Sequence, residues 1–285
     1  MKNRIIVGVD GSMASLEALR WAACEAASRR SCLQVTGVYS LSAIEALGSV
    51  GTGFVDRTEM DRLRADCLAQ LARAVQRVVD LPGVDLHYEA IEGDPAECLA
   101  TAGADADFVV VGSNGRGPAR SFWLGSVTAG VLHRCPCPVV VVPEELGEYR
   151  GTIVVGVDGS ESSDRALEWA ADEAHRVRSE LRILYARHRE FRDSQEVLGW
   201  SEDFSEVDAG LVVERAVRLA RERTTDPVDG LSQLGHPTEV LTAASKNADL
   251  VVVGSRGRGG FPAMLLGSVA QNVCAHARCP VVVVR

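Results

Sequence analysis

The chain of 285 residues is nearly without lysine: Lys2 and Lys246 are the only two, and every other basic side chain is an arginine. Neither lysine follows a glycine run, so the GxxxxGK[ST] phosphate loop is missing, and no lysine is placed for Schiff-base chemistry. Positive charge is short overall. With 30 basic against 39 acidic side chains and a net charge of −9, the clustered cations that neutralise a phosphate backbone are lacking, and no nucleic-acid partner is expected. Long apolar runs are lacking as well. None approaches the roughly 20 residues of a membrane helix, and the short stretch after Arg4 is interrupted at Asp10. Neither a leader peptide nor a membrane partner is therefore expected, and the protein is read as cytoplasmic.

Metal-binding and catalytic signatures are also sparse. The eight cysteines include no C-x2-C pair, which removes the usual zinc spacing, and no metal ligand is assigned. Cys135 and Cys137 are close in sequence, but only Cys137 has a counterpart, Cys279, so they are read as small buried apolar residues. The six histidines are scattered and none recurs, so no catalytic residue is assigned.

What is present is a duplication. Ile5 to Ser12 (IIVGVDGS) returns as Ile153 to Ser160 (IVVGVDGS), and Ser15 to Ala27 matches Ser163 to His175, with Trp21 answering Trp169. Arg73-Ala74-Val75 returns as Arg215-Ala216-Val217, and Gly93 to Leu99 (GDPAECL) as Gly235 to Leu241 (GHPTEVL). The second copy is shorter in the stretch after its second strand. Two domains follow, residues 1–143 and 151–285, joined by the polar segment from Pro143 to Gly151.

Within each copy, strands alternate with helices. Ile5 to Val9 is a β-branched run suited to a strand covered on both faces, and Leu16, Leu19, Ala22, Ala23 and Ala26 recur at helical spacing. A second strand is expected at Leu33 to Tyr39, a loop over about 41 to 58, and a long helix through Leu63, Leu71 and Val75. Further strands are expected at Leu86 to Ile91, Phe108 to Val111 and Pro138 to Val142, with helices from Pro95 to Ala102 and from about Ser126. This alternation implies an α/β fold: two tandem doubly wound, Rossmann-like domains, each a five-stranded, mostly parallel sheet with helices on both faces.

Ligands of such sheets bind beyond the carboxyl ends of the strands. Asp10 and Asp158 end the first strands there, and Gly112-x2-Gly115-x9-Gly125-Ser126 and Gly254-x2-Gly257-x9-Gly267-Ser268 follow the fourth. GxGxxG does not follow the first strand, so a dinucleotide fingerprint is excluded. Glycines that expose amides, then a serine opening a helix, make a phosphate cradle without a lysine. Arg116 and Arg258 follow the second glycine of each loop and offer charge to a phosphoryl group. The alternative reading is structural, since Gly-Ser is also an ordinary helix start.

The G-x2-G-x9-G-[ST] loop, the VxVDGS strand end and the final CPVVVV together resemble the universal stress protein family in its tandem form, failing only at about 41–58 and 189–204. The resemblance implies ATP binding, with or without Mg2+. The glycine loop would hold ribose and phosphates, and the first-strand aspartate with the second-strand backbone the adenosine end. The first site would comprise Asp10, Val38, Gly112, Gly115, Arg116, Gly125 and Ser126. The second would comprise Asp158, Ala186, Gly254, Gly257, Arg258, Gly267 and Ser268. It further implies a regulatory role in stress response or growth control, pairing of the two domains about a pseudo-twofold axis through their last strands, and a further homodimer or protein partner. A slow ATPase and a nucleotide-independent interaction scaffold are the alternatives.

Overall fold

The computed structural model describes residues 3–40, 57–79, 83–115, 124–187, 201–257 and 265–285, with 201–208 as backbone alone. The expected loop at 41–58 lies almost wholly outside the described residues. The chain divides into two compact units, Met1–Glu145 and Leu146–Arg285.

The first unit contains β1 (Arg4–Gly8), α1 (Met13–Arg29), β2 (Cys32–Tyr39), α2 (Arg57–Val78), β3 (Leu86–Glu92), α3 (Pro95–Ala102), β4 (Phe108–Gly112), α4 (Ser126–Arg134) and β5 (Val139–Val142). Its strands lie in the order β3-β2-β1-β4-β5. The pairings of β1 with β2 and β4, of β2 with β3, and of β4 with β5 are all parallel. The order reverses between β1 and β4, which is where an open α/β sheet leaves a crevice.

The second unit repeats the plan with β6 (Thr152–Gly156), α5 (Glu161–Val177), β7 (Glu180–Arg187), α6 (Ser201–Arg221), β8 (Val228–Leu234), α7 (Pro237–Ala244), β9 (Leu250–Gly254), α8 (Ser268–His276) and β10 (Val281–Val284). Its order is β8-β7-β6-β9-β10, again with parallel pairings.

In each unit the helices fall into two layers. In the first, α1 packs on α2, and α3 on α4; in the second, α5 packs on α6, and α7 on α8. Covering the central strands on both faces explains why they are uniformly apolar instead of alternating: Ile5, Ile6 and Val7 have no accessible surface. Small side chains bring α1 close to the sheet, since Ala18, Ala22 and Ala26 are all buried on one helical stripe. The outer strands differ. In β3 and β8 most residues are half-buried or exposed, because helices cover only one of their faces.

Candidate functional site

The crevice of the first unit is formed where β1 ends. After Gly8, Val9 donates its N–H to the Thr36 carbonyl at 2.9 Å, and Gly11 then turns the chain with φ of 81°. Asp10 is held in that turn. Its Oδ1 accepts from the Ser12 amide at 2.9 Å and from the Ser12 hydroxyl at 2.6 Å, while Ser12 also caps α1 by accepting from the Ser15 amide. The Ser15 hydroxyl accepts from the Gly11 amide at 3.1 Å and donates to the Ser12 carbonyl at 3.0 Å. Asp10 thus stands exposed at the strand end, tied to Ser12 through Oδ1.

The glycine loop approaches from β4. Neither Gly112 nor Gly115 has a positive φ, so their role is close approach. A Cβ on Gly112 would stand 2.7 Å from the carbonyl carbon of Ala14 and 2.8 Å from the Ser15 nitrogen, in the first turn of α1. One on Gly115 would meet Asp10 Oδ2 at 3.0 Å. The Gly125 amide then returns to the Ser113 carbonyl at 2.9 Å, and Thr128 Oγ1 donates to the Gly112 carbonyl at 2.7 Å, fastening the start of α4 to the end of β4. The same backbone closure recurs in the second unit, where Gly267 N–H reaches the Ser255 carbonyl at 2.7 Å.

Helix starts separate into two kinds. Ser12, Asp94, Ser160 and His236 each accept an amide of their own helix through the side chain, capping α1, α3, α5 and α7. The helices α4 and α8 begin instead at Gly125 and Gly267, with no side-chain cap. Their first amides carry the partial positive charge of the helix terminus, and Ser126 and Ser268 add exposed hydroxyls.

Val38 contributes main chain. Along a strand, N–H and C=O of alternate residues face the same neighbour. Thr36 faces β1, since its carbonyl accepts from Val9, and Val38 therefore faces the same side two residues further on. The pairing of β1 with β2 ends at Gly8 opposite Thr36, so β1 has already turned away from Val38. Ala186 is placed identically: Leu184 accepts from the Val157 amide at 2.9 Å, and β6 ends opposite Leu184.

Together these groups border a cleft of about 490 Å³, with Asp10, Val38, Gly112, Gly115, Gly125 and Ser126 all on its wall. Polar side chains that the sequence did not mark join them: Ser15, Thr36, Asn114 and Thr128. Thr128 carried no repeat signal, because Ala270 replaces it in the second copy. In that copy Asp158 takes the Ser160 amide at 3.0 Å, and a Cβ on Gly257 would stand 2.5 Å from Asp158 Oδ2. Gly254 is pressed against Ser162 as Gly112 is against Ala14, within 2.7 Å of backbone. Arg116 and Arg258 lie outside the described residues.

Fold and cleft define a class: tandem parallel α/β domains, each with a glycine loop and an uncapped helix start at its switch point. The model of the universal stress protein family matches residues 1–143 and 150–285, and the chain belongs to that family. It is 34% identical over 294 residues to universal stress protein Rv2005c of Mycobacterium tuberculosis, covering 99% of this chain and 96% of that protein. It is 33% identical over 288 residues to Rv2623 of the same organism, with the same coverage of both chains. The crystal structure of a universal stress protein from Archaeoglobus fulgidus superposes with a TM-score of 0.70 at 23% identity, covering 100% of this chain and 99% of that one, a likeness of fold. Among the described residues no helix is long and apolar enough to cross a membrane.

Proposed function

We propose that each unit binds one adenine nucleotide, ATP foremost, and that the protein acts as a nucleotide-dependent regulator in stress response or growth control. The observation that carries this reading is the contrast between helix starts. Every other α-helix whose N-cap is described has that cap filled by a side chain, while the two helices that follow the glycine loops start on glycine with no side-chain cap. Phosphate oxygens satisfy such amides. Among the described residues a Cβ at Gly125 would be only in ordinary contact, 3.4 Å from the Ser113 carbonyl oxygen, so their packing does not require glycine there. A phosphate approaching the backbone does.

The remaining groups fit the other end of a nucleotide. Asp10 offers a carboxylate oxygen to ribose or base N–H and O–H donors, and the Val38 main chain offers a donor and an acceptor side by side, the pattern an adenine edge matches. The volume lies within the range of small-molecule clefts. In the second unit Asp158, Ala186, Gly254, Gly257, Gly267 and Ser268 take these roles; Arg116 and Arg258, next in sequence to the second glycine of each unit's loop, offer charge to the phosphates. For assembly, the reading includes pairing of the two units through β5 and β10, each a run of four valines at the edge of its own unit's sheet, where an uncovered strand invites a partner.

Calorimetric titration of nucleotide-free protein with ATP tests the binding claim. A stoichiometry of about two per chain is expected; a value near one would mean that one unit has lost its site. Absence of both heat and thermal stabilisation at millimolar ATP would overturn the reading in favour of a scaffold.

A further inference from the structure

At the end of β2 remote from the cleft, three side chains of different chemistry converge. Cys32 opens β2, Asp85 immediately precedes β3, and His87 is the second residue of β3. Gln34 pairs with His87 in register, and Leu33 donates to the Asp85 carbonyl at 2.8 Å. Strand alternation then places Cys32, Gln34, Asp85 and His87 on one face of the sheet. One ligand atom from each of Cys32, Asp85 and His87 lies within 4.8 Å of the other two, and His87 Nε2 is 3.1 Å from Asp85 Oδ1.

Tetrahedral zinc, with bonds of about 2.0–2.3 Å, holds adjacent ligand atoms roughly 3.3–3.8 Å apart. Side-chain rotations of about an ångström bring three atoms from the observed spacing to that one. A thiolate with an imidazole and a carboxylate is a donor set for zinc and its late first-row neighbours, whereas magnesium and calcium take oxygen. Asp85 and His87 are well exposed, which gives an ion an entry path and leaves a fourth position for water. The guanidinium of Arg4 donates to Gln34 Oε1 at 3.2 Å and to the Ala102 carbonyl at 3.4 Å, and its charge favours the thiolate of Cys32.

We infer that Cys32, Asp85 and His87 form a zinc-class metal site that clamps the outer strand β3 to β2. The corresponding positions of the second unit are Glu180, Pro227 and Asp229, which bring neither thiol nor imidazole, so the site occurs once per chain. It belongs to a strand that needs it. β3 pairs with β2 alone among the strands of its unit, and most of its side chains are open to solvent. An ion bound only by the folded state raises stability by mass action.

Full-length, metal-stripped protein titrated with Co2+ tests the site. One cobalt per chain is expected, with visible ligand-field bands of tetrahedral intensity and a near-ultraviolet thiolate-to-cobalt charge-transfer band, both abolished by equimolar Zn2+. Cys32→Ser should remove the charge-transfer band, and His87→Gln should weaken cobalt binding by more than the ~10-fold that loss of even an outer-shell partner costs. Added Zn2+ should raise the melting temperature of the native sequence and of neither variant. A charge-transfer band that survives Cys32→Ser, or no band at cobalt excess, would overturn the proposal. Should Cys32→Ser fail to fold by circular dichroism, His87→Gln decides the matter: an undiminished zinc-induced shift in that variant overturns it too.

Discussion

Gly112 and Gly115 belong to one loop but lack side chains for different reasons, and their substitution separates folding from binding. In Gly112→Ala the new methyl meets the backbone of Ala14 and Ser15, which moves only with the whole of α1, so a loss of about 1–3 kcal/mol of stability is expected. In Gly115→Ala it meets, among the described residues, only a carboxylate oxygen of Asp10. Stability should stay within about 0.5 kcal/mol, while ATP affinity falls by roughly tenfold as Asp10 is pushed aside. Chemical denaturation and calorimetry on both variants check this, and equal stability losses would refute the division. The spacing alone marks both glycines; which serves the fold and which the cleft depends on α1 and Asp10, about a hundred residues earlier. The cysteines give a second residue-scale test. Burial pushes the thiols of Cys274 and Cys279 up to about 12, the latter also through the negative charge of Asp249. The folded state then keeps these protons after the unfolded chain, with an ordinary value of 9.0, has released them. Their contribution is fully present below about pH 9 and declines as pH rises toward 12, by about 1 kcal/mol per pH unit for each thiol. Urea midpoints measured from about pH 8 to about pH 10.5 should fall, and Cys274→Ala should flatten that slope; an unchanged slope would exclude the thiol as its source.

The open starts of α4 and α8 lead to a prediction with opposite signs for stability and binding. The backbone at Gly125, with φ of −57° and ψ of 146°, is one any residue adopts, and a Cβ there fits at 3.4 Å from its nearest neighbour. Gly125→Asp should therefore cap α4, place a negative charge at a positive helix end, and stabilise the nucleotide-free protein by a few tenths to about 1 kcal/mol. The same carboxylate would occupy the phosphate position and repel the ligand, abolishing ATP binding in the first unit and lowering the stoichiometry by one. A destabilised variant with intact binding would refute both the cap and the phosphate site. The elements themselves were largely legible in the sequence. The expectation of Pro95 to Ala102 matches α3, and the β-branched runs matched the strands to within a residue or so at their ends. The first strand stops at Gly8, one residue before the expected Val9, because the chain peels away once Val9 has donated to Thr36. The part played by Val38 and Ala186 left no side-chain signature. It follows from the strand register, which requires knowing where β1 and β6 stop.

For the whole molecule, the duplication was legible because both copies retain the same strand ends and glycine spacing. Their differences were not, since Thr128 ties α4 to Gly112 while Ala270 has no hydroxyl to tie α8 to Gly254. The proposed pairing of the units through β5 and β10 can be tested at the segment that joins them. Residues 144 to 148 are exposed and carry no regular structure, and a Cβ on Gly147 would meet nothing within 4 Å, so a protease site inserted there leaves both units intact. Arg150, just beyond, should not be disturbed, because its amide donates to Asp249 Oδ1 at 2.7 Å within the second unit. A short tether holds two surfaces at an effective concentration on the order of millimolar, so cutting it exposes whatever affinity the surfaces have by themselves. Two strands of four valines joined edge to edge should keep the cleaved halves together at micromolar concentration in size-exclusion chromatography. Hydrogen exchange then locates the contact, since amides of a joined strand exchange slowly and those facing outward from a free edge exchange fast. Halves that elute separately would overturn the pairing. Halves that elute together with fast exchange along both valine strands would overturn it as well, because their contact would then lie on another surface.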